Sequence, residues 1–177
     1  MVTYDNRNSK LIKEKSATLL CHFAGDRQNY RRFTKLKQDI PVYRQYLGAV
    51  FPDITVTKNM DIEMQKLILL TNQLYAAVLA ANNIKLVFNT RSGLHESLEC
   101  FRNIPRGIVC ASSFLGCDRA SDMNDIAEYV NKILRLMPRK LIIYGKQDLS
   151  INNQLDILGI DYRYYDDFHR RCKGRAA

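Results

Sequence analysis

Six short runs of branched and aromatic residues recur along the chain. Each closes on a polar or glycine position, and long amphipathic segments separate most of them. The runs are Ala17–Phe23, Ala49–Val56, Ile84–Thr90, Gly107–Ser113, Lys140–Gly145 and, more weakly, Ile160–Tyr165. Short apolar runs of this kind suit strands buried on both faces. The connections are long enough for parallel pairing, and no two-residue hairpin turn joins any pair. The pattern predicts a single α/β domain of alternating strands and helices with a mostly parallel sheet, either open or a partial β/α barrel, over residues 17–167. A polar lead-in (1–16) precedes it and a basic, mobile tail (168–177) follows.

Between the runs, Arg27–Gln38 reads as a short helix stopped before Pro41. Pro52 lacks a ladder donor, so the second strand should be irregular there. The clearest helical spacing lies at about 61–82. Ile62, Leu67, Leu70, Leu74, Ala77, Val78 and Ala81 form a broad apolar face that should be buried, Asn59 or Asp61 caps the start, and Asn82-Asn83 ends it in a left-handed turn. Leu94–Phe101 is a shorter helix. Ser121, with Asp122 and Asp125 in the first turn, opens another, whose buried face is Ile126, Val130, Ile133, Leu134 and Met137. Ser150–Leu158 closes on Gly159.

The 177 residues fit one domain with a sizeable core, and 46% hydrophobic with 25% charged residues excludes a largely disordered chain. No apolar core follows the lysines of Met1–Ser16, so a secretory signal is not expected. Thr71, Asn72 and Gln73 interrupt the longest apolar stretch, which rules it out as a membrane span. The five cysteines are scattered, without zinc spacing. They suggest reduced thiols in a cytoplasmic protein, with Cys21 and Cys110 as small core residues.

Charge adds a candidate partner. The net charge is +9, from 27 Lys and Arg against 18 Asp and Glu. One cluster, Arg27, Arg31, Arg32, Lys35 and Lys37, is interleaved with Tyr30 and Phe33. Another, His169, Arg170, Arg171, Lys173 and Arg175, forms the tail. Basic surfaces with interleaved aromatics bind phosphate backbones by releasing condensed counterions, so nucleic acid or another polyanion is the leading partner. The plainer alternative is a solvated basic surface.

Nucleotide signatures are absent: there is no GxGxxG after a strand and no GxxxxGK[ST]. Leu115-Gly116-Cys117-Asp118, running into Ser121, is the best place for an anion, but Asp118 and Asp122 oppose it. Cys117 has no histidine (His22, His95, His169) at a diagnostic spacing. In parallel α/β folds chemistry collects at the carboxyl ends of strands. There Asp26, Asp53 and Asn89 are oxygen donors that suit magnesium or an acid–base pair. Against that, Asp26 would cap the next helix and Asp53 would bond its own turn. Arg91 either binds a substrate anion or pairs with Asp53. Ser112 should join Asp53, Asn89 and Arg91 in one cleft. Asp166, Asp167 and His169 sit near the same edge, while Tyr162, Tyr164 and Tyr165 read as strand packing.

These strand-end segments carry a resemblance. Pro52-Asp53-Ile54-Thr55, the run from Ile84 through Asn89-Thr90-Arg91, Cys100 through Pro105-Arg106-Gly107, Leu115-Gly116-Cys117 and Ile143-Tyr144-Gly145 together resemble an uncharacterised bacterial and phage family, domain of unknown function 4417, over about residues 20–145. Ser92-Gly93 stand where an aromatic often follows the arginine, and Gly25 replaces one member of an acidic pair common at Asp26. The resemblance implies a protein of phages or mobile genetic elements and brings no activity. Three functions follow: a polyanion-binding protein, a metal-dependent hydrolase or nuclease using Asp26, Asp53, Asn89 and Arg91, and an inhibitor or adaptor acting on a host protein.

Overall fold

Each of the six runs contains a strand, the second only at its start because β3 ends before Pro52, and the polar lead-in supplies a seventh. The computed structural model describes residues 1–113 and 123–167. The strands are β1 (Val2–Thr3), β2 (Leu19–Cys21), β3 (Gly48–Val50), β4 (Leu86–Asn89), β5 (Val109–Ser113), β6 (Lys140–Tyr144) and β7 (Tyr162–Tyr165). The helices are α1 (Asp26–Tyr43), α2 (Ile62–Ala81), α3 (Met123–Leu136) and α4 (Leu149–Ile157), with 3-10 segments at Tyr4–Asn6 and His95–Phe101. Every neighbouring pair of strands is parallel and the spatial order is the chain order, β1 to β7.

That order places the helices on one face. The larger core joins Leu20, Ala49, Phe51, Phe88, Cys110, Leu141 and Ile143 from the sheet side to Tyr43, Tyr75, Leu79, Ile133, Leu136, Ile151 and Leu155 from the helices. The other face holds Leu19, Cys21, Phe23, Val50, Val87, Ala111 and Tyr144, and among the described residues no helix contributes to it. Phe23, just past β2, stacks on Tyr144 of β6 at 5.6 Å between ring centroids. In a flat sheet strands four places apart lie about 19 Å from each other, so the sheet is strongly curled. The fold is the partial barrel, a curled half-barrel with a filled concave face, rather than a flat open sheet.

Close approach explains one glycine. A Cβ on Gly48 would stand 2.5 Å from the Lys85 carbonyl oxygen, where the adjacent Ala49 N–H bonds the same oxygen at 2.9 Å. Gly48→Ala is therefore expected to force β3 and β4 apart and cost about 1–3 kcal/mol in urea unfolding.

Three expectations need correction. α1 does not stop before Pro41: it runs through it to Tyr43, a fully buried side chain that anchors the last turn. The lost N–H leaves one carbonyl without its helical donor near the helix end, where solvent is close. In α2, Asp61 caps as expected, its carboxylate accepting from Glu63 and Met64 N–H, and Asn83 turns left-handed at φ 61°. Its buried face, however, is Gln65, Leu69, Asn72, Tyr75, Ala76 and Leu79, while Leu67, Leu70 and Leu74 face solvent. Gln65 is tolerated inside because its side chain donates to the Met60 carbonyl and accepts from Leu94 N–H, both at 2.8 Å. In α3, Tyr129, Ile133 and Leu136 are buried, whereas Leu134 and Met137 are exposed. Ser121, Asp122 and the loop around Gly116, Cys117 and Asp118 lie outside the described residues, as does the tail from Phe168. Among the described residues no helix is long and apolar enough to cross a membrane.

Candidate functional site

Asp53, three residues past β3, and Arg91, two past β4, meet at the carboxyl edge of the sheet. Arg91 Nε donates to Asp53 Oδ1 at 2.7 Å and Nη2 to Oδ2 at 2.8 Å, a bidentate fork with both side chains buried. Asn89 Nδ2 donates to Asp53 Oδ1 at 3.0 Å and lies 3.4 Å from the Pro52 carbonyl; its Oδ1 accepts Arg91 N–H at 3.0 Å. The Asx turn thus belongs to Asn89 and not to Asp53. An amide bonded to a carboxylate on one side and an N–H on the other has only one satisfactory orientation. The carboxylate already accepts three N–H bonds. The space beside Arg91, lined by Phe51, Asn72, Phe88 and Phe101 among others, holds about 10 Å³, too little for more than a water.

Asp26 lies nearby with a separate task. Its Oδ1 accepts Thr55 N–H at 2.9 Å and the Thr55 hydroxyl at 3.0 Å, fastening the start of α1 to the loop after β3. Asn29, one turn on, donates to the Ala24 and Asp53 carbonyls at 3.2 and 3.1 Å. Ser112 does not join the cluster. Asn89 pairs with Ala111 in register, and side chains alternate along β5, so Ser112 faces the helices with Cys110. Among the described residues no three His, Cys, Asp or Glu side chains form a group able to hold a metal.

The basic cluster of α1 divides. Arg27, Arg31 and Lys37 are exposed, Lys35 is half-buried, and none makes an ion pair among the described residues. Tyr30, between them, is 55% exposed, whereas Phe33 turns inward onto Tyr75. Arg32 leaves this surface: it is 8% exposed, reaches Asp39 Oδ2 at 3.2 Å and lies over the Tyr4 ring. The spacing of seven places Arg32 and Asp39 on one helix face, a signal in the sequence that the charge count obscured. Arg170, Arg171 and Lys173 lie outside the described residues.

A buried polar cluster escaped sequence reasoning. His22 Nε2 is 2.6 Å from the Tyr43 hydroxyl, which is 2.9 Å from that of Tyr75. Tyr4 stacks on the imidazole, with ring centroids 5.4 Å apart. Burial, with the Arg32 charge adding to it, lowers the His22 pKa to about 3, so the ring is neutral. Burial raises both tyrosine pKa values, which keeps their hydroxyls protonated as donors. No sequence motif marks this group because its members come from the residue after β2, from α1 and α2, and from the Tyr4–Asn6 turn. Cys21 and Cys110 are free thiols whose pKa burial pushes up to about 12, as inert core residues should show.

With this geometry in place, the chain can be assigned: it belongs to the family described as Domain of unknown function (DUF4417), whose model matches residues 1–163. No curated protein and no solved structure matches it.

Proposed function

We propose that this protein binds nucleic acid or another polyanion through the outer face of α1 and the adjoining N-terminal segment. The observation that carries the reading is the row Arg27, Arg31 and Lys35, one helical turn apart, with Lys37 and exposed Tyr30 beside it and, among the described residues, no carboxylate paired with any of the four cations. Unpaired cations are free to replace condensed counterions on phosphates, and an exposed tyrosine offers a face for base stacking. Ten of the 27 Lys and Arg fall in residues 1–44 against four Asp and Glu, so this end of the chain concentrates positive charge. The setting we infer is the cytoplasm of a cell carrying phage or mobile-element genes, where nucleic acid is the abundant polyanion.

A hydrolase or nuclease mechanism would ask Asp53 to hold a metal or move a proton. Its carboxylate is instead engaged by Arg91 and Asn89, and Asp26 is bonded to Thr55. The geometry therefore favours the strand-end cluster as scaffold and α1 as the working surface.

Fluorescence anisotropy with mixed-sequence DNA and RNA tests this. Affinity should fall steeply between about 50 and 200 mM salt. The double variant Arg27→Glu, Arg31→Glu should bind at least about tenfold more weakly, with a salt slope shallower by about two, and an unchanged circular dichroism spectrum. No binding by the parent at low salt, or an unaltered slope in the variant, refutes the proposal.

A further inference from the structure

α2 is apolar on two opposite faces. The inner face packs on the sheet through Leu69, Ala76 and Leu79. The outer face leaves Leu67, Leu70 and Leu74 at 59%, 52% and 66% exposure, with exposed Ala77 and Ala81 completing the row. These five positions step by three, four, three and four residues, the spacing that lets one helix run along another. The row spans about 21 Å at 1.5 Å per residue. Helices apolar all round are normally enclosed by protein, and contiguous exposed apolar patches mark interaction sites.

We propose that this row is the contact surface for a second copy of the chain, the two α2 helices packing antiparallel about a twofold axis at Leu74. Shape selects this occupant, and charge does not oppose it along the row. Copies carrying a net charge of +9 repel one another, yet no charged residue occurs from Leu67 to Ala81. Lys66, the cation at the row's edge, is engaged by Glu63 at 3.1 Å and Glu99 at 3.7 Å. Two copies therefore meet along a neutral strip.

Shape fixes the orientation. Leu74 is the midpoint of the row. Antiparallel pairing sets Leu67 opposite the second copy's Ala81 and Leu70 opposite its Ala77, so a large side chain meets a small one along the whole contact. Parallel pairing would crowd leucines at one end and leave alanines facing each other at the other. Antiparallel helices also oppose their macrodipoles favourably. Such a twofold contact is self-complementary and closed. One helix pair covers less than the ~800 Å² per partner of a standard interface, so dissociation is expected in the range of about 1–100 μM.

Sedimentation equilibrium from about 1 to 500 μM tests the proposal. The parent should rise from the 20.5 kDa chain mass to twice that value. Leu74→Glu, at an exposed position the folded monomer tolerates, should stay monomeric, its dimerisation weakened at least about a hundredfold by two unpaired charges at the axis. Independently, Leu67→Cys mixed with Ala81→Cys should give an oxidised dimer well above the parent's background, while Leu67→Cys alone should not. A parent monomeric throughout, an undiminished dimer in Leu74→Glu, or self-linking by Leu67→Cys overturns the proposal.

Discussion

Urea unfolding of Arg91→Met should show a loss of about 3–5 kcal/mol, the cost typical of breaking a buried ion pair from one side. Among the described residues the substitution leaves the buried Asp53 carboxylate with only Asn89 as a side-chain donor, because Arg91 supplies two of the three N–H bonds it accepts. Against a total stability of about 5–15 kcal/mol, this is among the largest single effects available to the domain. Asp53→Asn should cost less, about 1–3 kcal/mol, since an amide retains one acceptor for the guanidinium. The double variant Asp53→Leu, Arg91→Met should lose less than the two single losses combined, because neither charge is then stranded. Magnesium or manganese at millimolar concentration should leave the parent's melting temperature unchanged, since a native-state ligand must raise stability by mass action. A metal-induced rise, or an Arg91→Met variant as stable as the parent, would turn the cluster back into a candidate catalytic site.

The legible and illegible parts of this fold separate along a physical line. Strand positions were readable because parallel strands are buried on both faces and leave continuous apolar runs such as Ile84–Asn89 and Lys140–Tyr144. β1 was hidden because Val2-Thr3 is too short to make a run, and its pairing with Leu20 and Cys21 is wholly tertiary. The choice of half-barrel depended on sheet curl, which contacts such as Phe23 on Tyr144 express and no local pattern encodes.

The inverted orientation of α2 has a related cause. Hydropathy pointed Leu67, Leu70 and Leu74 inward, but Gln65 is satisfied inside by specific backbone partners, and the leucines are left exposed. At the strand ends the sequence placed Asp53, Asn89 and Arg91 together and offered ion pairing as one role for the arginine. It did not show that the amide of Asn89 would lock the carboxylate. Arg32 illustrates the limit of charge counting: its partner Asp39 lies on the same helix, yet what buries it is Tyr4, from a turn the sequence left unassigned.

The buried histidine gives the pH dependence its sign. His22 has a folded pKa lowered to about 3 from the ordinary 6.5 by burial and then by the Arg32 charge. A depressed folded value means the unfolded chain binds the extra proton first. The stability contributed by neutral His22 is therefore complete above pH 6.5 and is lost as pH falls toward 3. Within that window the slope is about 1.4 kcal/mol per pH unit, so roughly 2–3 kcal/mol should disappear between pH 6.5 and 4.5, before most carboxylates titrate. Protonation would place a second charge in this buried site near that of Arg32, while Nε2 keeps the Tyr43 hydroxyl, itself bonded to Tyr75, as its partner. His22→Gln keeps an acceptor for Tyr43 without titrating. Urea midpoints taken from pH 7 to 4.5 should fall for the parent and stay nearly level for the variant, and equal slopes for the two would assign the acid limb to other groups.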